Sequence, residues 1–131
     1  MPIILVVDDS PTIRRMVRTA LAGLSDATFL EAGSGLEAIE TLAVKSVQAL
    51  VLDLNMPDMH GLDVLGFLRS HDQYRELPVL ILTTRGDEVS RTAALKAGAS
   101  AYMTKPFSPS ALVSAVRDLL QPSTPLRAAQ P

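Results

Sequence analysis

The chain of 131 residues contains no cysteine. That removes disulfides and thiolate metal sites and leaves the protein compatible with a reducing cytosol. Basic charge is not in excess either: 12 Lys and Arg stand against 14 Asp and Glu, a formal net charge of −2. A nucleic-acid surface is not expected on such a balance. The opening Met1-Pro2-Ile3-Ile4-Leu5-Val6-Val7 lacks the basic start and long apolar stretch of a signal peptide. No apolar run approaches the roughly 18 residues that a membrane span requires. The expectation is a cytoplasmic protein with neither nucleic acid nor membrane among its partners. There is no internal repeat. Residues 1–120 are read as one domain, long enough to bury a core without staples. Residues 121–131 carry three prolines and no period, and are read as a flexible Pro-rich tail or the start of a linker.

What is present is an alternation of apolar runs and helical periods. Pro2 to Val7 is apolar and ends in Asp8-Asp9, and Ser10-Pro11 then opens a helix with Ser10 as N-cap. Ile13, Met16, Val17, Ala20, Leu21 and Leu24 keep helical spacing, while Arg14, Arg15 and Arg18 are read as a solvated face. Thr28 to Ala32 is a short mixed strand, and Gly33-Ser34-Gly35 reads as a plain turn before a second helix, since the full phosphate-loop patterns are missing. Ala49 to Leu52 is the third strand, delivering Asp53 to the point where Pro57 forbids a central ladder to continue. A third helix carries Leu62, Val64, Leu65, Phe67 and Leu68, and His71 to Arg75 is a polar connection without period. His60 and His71 are read as surface residues. Pro78 to Leu82 is the fourth strand, ending in Thr83-Thr84. The helix from Asp87 to Ala97 has only Val89 and Leu95 as large aliphatics, so weak docking and high mobility are expected, with Gly98 closing it. Ala101 to Thr104 is the fifth strand, before Lys105-Pro106, and Ser108-Pro109 starts the last helix.

Five strands alternating with five helices imply an α/β fold, a parallel sheet with helices on both faces. Strands one, three and four are continuous apolar runs, as central strands are, whereas two and five are short and mixed, as edges are. The order 2-1-3-4-5, a flavodoxin-like arrangement, follows. It gathers Asp8, Asp9, Asp53, Thr83 and Lys105 on one rim at the carboxyl ends, where ligands bind in open α/β sheets, and leaves Glu31 outside. Three carboxylates at one rim repel one another, so a cation or bound protons must offset them, and hard oxygen donors suit Mg²⁺. Lys105 and Thr83 are placed on the side opposite Asp8 and Asp9, outlining a pocket for a tetrahedral anion attached to Asp53. Phosphoryl transfer asks for little more than this positioning and neutralisation.

Asp8-Asp9, Asp53-Leu54-Asn55-Met56-Pro57 through Gly61, Thr83-Thr84 and Lys105-Pro106 resemble the response-regulator receiver family, above all its chemotaxis-type single-domain members. The likeness covers about residues 3 to 120, and 2-1-3-4-5 is also that family's order, so the two are not independent. The resemblance implies that Asp53 accepts phosphate from a phosphohistidine on a sensor histidine kinase or phosphotransfer protein, with small phosphodonors as substitutes. It implies Mg²⁺ on Asp9, Asp53 and the backbone carbonyl of Asn55, with Asp8 acting through water. Thr83, Lys105 and the backbone N–H groups of Asn55 and Thr84 would meet the phosphoryl oxygens, and Lys105-Pro106 would be a cis peptide. Thr83 and Tyr102 would form the switch: Tyr102 turns inward as Thr83 moves to the phosphoryl group, altering the face of the fourth helix, fifth strand and fifth helix for a downstream protein. Arg85 and Asn55 would border the approach of water to the phosphate. The chain is expected to be a monomer or weak dimer. It is not expected to act as an enzyme beyond its own phosphorylation and dephosphorylation.

Other readings are a receiver fold that binds without taking phosphate, and a phosphohydrolase resembling the haloacid dehalogenases. The intact acids, Thr83 and Lys105 oppose the first. Asn55, standing where the second needs a carboxylate, opposes it. A dinucleotide fold lacks its glycine fingerprint.

Overall fold

The computed structural model describes residues 2–24 and 26–121. Apart from Gln121, the expected tail lies outside the described residues. In chain order the elements are β1 (Ile3–Val7), α1 (Pro11–Leu21), β2 (Thr28–Ala32), α2 (Gly35–Val44), β3 (Ala49–Leu52), α3 (Gly61–Arg69), β4 (Val79–Thr83), α4 (Glu88–Lys96), β5 (Ala101–Thr104) and α5 (Pro109–Leu120). All strand pairs are parallel and the sheet runs β2-β1-β3-β4-β5, the order expected from the apolar runs.

Each helix begins on a side chain that satisfies an orphan backbone donor. The Ser10 hydroxyl accepts from the Ile13 N–H (3.2 Å) and Pro11 takes the first helical position. Ser34 accepts from the Glu37 N–H (3.1 Å), and the Glu37 carboxylate reaches back to the Gly33 N–H (2.7 Å). The Gly33-Ser34-Gly35 turn is therefore a helix cap. His60 Nδ1 accepts from the Leu62 N–H, Asp87 from Ser90 and Ser108 from Ala111. His60 thus has a structural task at the surface. Gly98, at φ +110°, ends α4 in a conformation that a side chain would oppose. The connection after α3 is more ordered than its polarity implied: Asp72–Tyr74 is a 3₁₀ turn. Tyr74 is half-buried and its hydroxyl donates to the Leu42 carbonyl (3.0 Å).

Strand alternation sorts the core into two layers. Leu5, Val7, Leu50, Leu52, Val79 and Ile81 pack with α2 and α3 on one face of the sheet, and Ile4, Val6, Val51, Leu80 and Leu82 pack with α1 and α5 on the other. Every residue of β3 and β4 is buried, whereas β2 and β5 are mostly part-exposed. Burying a Leu, Ile or Val side chain contributes about 1.5–3 kcal/mol, so the central strands hold most of the stabilisation and fix the ends from which the rim residues project. Among the described residues, no helix is long and apolar enough to cross a membrane.

Candidate functional site

Asp8 extends β1 by one residue, its N–H donating to the Ala32 carbonyl (3.1 Å), and Asp53 extends β3, its N–H donating to the Val7 carbonyl (3.0 Å). Both carboxylates are carried inward on rigid ladder positions and are buried, at 3% and 6% exposure. Asp9 stands exposed beside them. One oxygen from each of Asp8, Asp9 and Asp53 lies within 4.8 Å of the others. Gly61 closes the wall: a Cβ there would stand 2.5 Å from the Asp53 carbonyl oxygen, so only glycine lets α3 start this near.

The Lys105 ammonium, on the residue after β5, reaches across the ends of β4 and β3 to Asp8 at 2.7 Å and stands 3.6 Å from Asp53. The expected partition, with Lys105 on the side away from Asp8, is thereby corrected. The ammonium settles between two buried carboxylates and binds Asp8 more closely, because desolvated like charges hold a shared counter-ion. The Lys105–Pro106 peptide is cis.

Burial pushes the Asp53 carboxyl above the ordinary carboxylate range; Lys105 pulls it down, Asp8 pushes it up, and the Asn55 N–H and Thr83 hydroxyl favour the charged form. Three carboxylates against one ammonium leave two formal negative charges on oxygen donors. That donor set, without sulfur or imidazole, fits a hard divalent cation.

Thr83 is fully buried at the end of β4, and Asn55 and Thr84 are exposed at the rim. Tyr102, on edge strand β5, is half-buried against the α3-side core. Its hydroxyl donates to the Arg85 carbonyl, and the Arg91 guanidinium carbon lies 5.9 Å from its ring centroid. The Arg85 N–H donates to the Thr83 hydroxyl at 3.4 Å, so Arg85 backbone groups meet both Thr83 and Tyr102. The Arg85 side chain pairs with Asp87 at 3.6 Å, drawn to the carboxylate that caps α4.

Two residues outside the expected set, Arg14 and Asp58, also bear on the rim. Arg14, read as part of a solvated face, is 17% exposed and bonds both Glu31 and the Asp8 carbonyl. Asp58 accepts from the N–H groups of Gly35 (3.1 Å) and Leu36 (3.0 Å), tying the β3–α3 loop to the start of α2. No motif marked these residues, since their partners lie 6 to 23 residues away and meet them only in the fold.

Comparison with known proteins agrees with this geometry. The family model described as response regulator receiver domain matches residues 4–117. The chain is 43% identical over 110 residues to chemotaxis protein CheY1 of Helicobacter pylori, covering 83% of this chain and 89% of that one. The solved chemotaxis response regulator CheY4 of Vibrio cholerae superposes with a TM-score of 0.84 at 31% identity, over 92% of this chain and 99% of that one. The Mn(2+)-bound form of response regulator Rcp1 superposes with a TM-score of 0.77 at 25% identity, over 95% of this chain and 93% of that one. With its sheet order, its acid-rich rim and these likenesses, the chain belongs to the response regulator receiver domain family, the phosphorylation-dependent switches of two-component signalling.

Proposed function

We propose that Asp53 is the phosphoacceptor, taking its group from a phosphohistidine of a sensor histidine kinase or phosphotransfer protein. The observation that carries this is the placement of a buried carboxylate, within 3.6 Å of the Lys105 ammonium, at the carboxyl end of a central strand. An Asp53 oxygen attacks phosphorus as the phosphorus–nitrogen bond breaks and the imidazole leaves. Lys105 neutralises charge on the transferred group, and the Thr83 hydroxyl and the N–H groups of Asn55 and Thr84 orient its oxygens. Asp9, Asp53 and the Asn55 carbonyl would hold Mg²⁺, with Asp8 acting through water. Mg²⁺ supplies charge neutralisation between the entering phosphate and the acids. A metal-bound form of a relative and the oxygen-only donor set support that choice of cofactor class.

The new group adds roughly −1.5 to −2 charges and three acceptor oxygens. Thr83 then exchanges the Arg85 N–H for the phosphoryl group, the Arg85 backbone is released, and Tyr102, bonded to the carbonyl of that same residue, repositions. The face of α4, β5 and α5 changes with it and is read by a downstream protein. The chain catalyses only its own phosphorylation and dephosphorylation, in a cytoplasmic setting.

Incubation with a small phosphodonor and Mg²⁺, read by intact mass, tests the assignment. Wild type should gain the mass of one phosphoryl group and Asp53→Asn none. Phosphate retained on the Asn variant would remove Asp53 from this role.

A further inference from the structure

We infer that Arg14 is a positioning residue for the cation site: through the Asp8 carbonyl it orients the peptide that carries Asp9, using Glu31 as its anchor. This rests on the proposed role of Asp8, Asp9 and Asp53 toward Mg²⁺.

The geometry is a fork. Arg14 Nη1 donates to the Asp8 carbonyl oxygen at 2.6 Å, while its Nε donates to Glu31 Oε1 at 2.8 Å. Glu31 is fixed in turn by Arg18 Nη1 on its other oxygen (2.7 Å) and by β2, where it lies opposite Val6, two residues before Asp8. The Asp8 N–H is already tied to Ala32 at 3.1 Å, the residue after Glu31. Asp8 is therefore held at its N–H by β2 and at its C=O by a side chain that β2 anchors.

The held carbonyl matters because of what shares its plane. The Asp8 C=O and the Asp9 N–H belong to one rigid peptide unit, so fixing the former sets the direction in which the Asp9 Cα and side chain leave the turn. Asp8 has other restraints on its carboxylate, from the Ser10 N–H (2.9 Å) and Lys105 (2.7 Å). Among the described residues, the exposed Asp9 carboxylate accepts no hydrogen bond. Its place beside Asp53 is set by backbone alone, and two side chains restrain that backbone: Arg14 at the Asp8 carbonyl before Asp9 and the Asp8 carboxylate at the Ser10 N–H after it.

Charge argues in the opposite direction, which makes the idea testable. A guanidinium near a cation site disfavours the cation, and Glu31, shared between Arg14 and Arg18, offsets only part of that positive charge. If charge governed, deleting Arg14 would tighten metal binding. If position governs, deletion weakens it, as loss of outer partners to metal ligands weakens affinity by 10–100-fold.

Mg²⁺ is titrated calorimetrically, without phosphodonor, into wild type, Arg14→Met, Arg14→Lys, Glu31→Gln and Asp9→Asn, and thermal stability is measured in chelator. Arg14→Met should bind Mg²⁺ about 10-fold more weakly. Arg14→Lys, which keeps the charge but cannot span both acceptors, should be weakened comparably, and Glu31→Gln in the same direction by less. Amide spectra of α5 unchanged from wild type identify folded variants, and Glu31→Gln, the mildest change, serves should Arg14→Met not fold. Wild-type or tighter affinity in the folded variants, with only a lower Tm, overturns the inference. Mg²⁺ binding that is absent in wild type, or that survives Asp9→Asn, overturns it together with the cation assignment itself. Dependence on Asp9 without dependence on Arg14 overturns this inference alone.

Discussion

Asp53 is buried, and its carboxyl is pushed up first by that burial and further by Asp8, against the pull of Lys105. A folded-state value above the unfolded one means that ionisation opposes folding: the stability present below the ordinary carboxylate value of 3.8 is lost as pH rises through the folded value. In Mg²⁺-free buffer at neutral pH, Asp53→Asn should therefore raise Tm by a few degrees, with the gain disappearing in acid. A Tm equal to or below wild type at pH 7 would mean that Lys105 already compensates the charge. Glu31 has the reverse sign. Hydrogen bonds from Arg18 and then Arg14 hold it below 4.5, so its contribution is present above that value and lost as pH falls through the folded one. Glu31→Gln should lower Tm at neutral pH and lose its difference from wild type in acid. Asp53 was legible in the sequence because a lone carboxylate ends an apolar run before a proline. Arg14 was not, because helical spacing assigns it to a polar face, and only the β2 register brings Glu31 to meet it.

Helix α4 is the least embedded of the five. Ala94 is its only fully buried residue, while Val89 is 79% and Leu95 40% exposed. Its two large aliphatics face away from the core, so even the weak docking read from composition overstates what those side chains contribute. The two ends differ. Arg69 donates through Nε and Nη2 to the Gly98 carbonyl (3.1 and 2.8 Å) and through Nη1 to the Tyr74 carbonyl (3.0 Å), fastening the residues just past the C-terminus of α4 to α3. Beyond its Asp87 cap, the N-terminal end adjoins the loop of Thr83 and Arg85. Hydrogen exchange should find α4 the fastest helix, with its first turn faster than its last. Arg69→Ala should abolish that gradient by speeding the last turn. Protection equal to that of α1 would remove the physical basis for α4 as the moving element. Gly98→Ala should cost about 1–3 kcal/mol in denaturant unfolding, since a Cβ would meet Arg69 Cγ at 2.8 Å on a backbone that disfavours side chains.

For the molecule as a whole, the strand order was readable because burial on both faces demands uninterrupted apolar runs, and only β1, β3 and β4 had them. The side chains that brace the rim were not readable, because bracing is a property of pairs brought together by the fold. Leu52, fully buried one residue before Asp53, ties the two scales together. Leu52→Ala should cost about 2–5 kcal/mol and also slow phosphorylation, which a stability assay beside a phosphodonor time course would reveal. The Asp58 carboxylate spans from the β3–α3 loop to the start of α2 on one flank of the acid cluster, while on the other flank the loop after β4 meets the Thr83 hydroxyl through one long bond, from the Arg85 N–H at 3.4 Å. Such a frame is stiff on one side and compliant on the other. With Asp53 phosphorylated as proposed, mechanical work done there would leave by the compliant side, so the direction in which the message travels would be set before any ligand arrives.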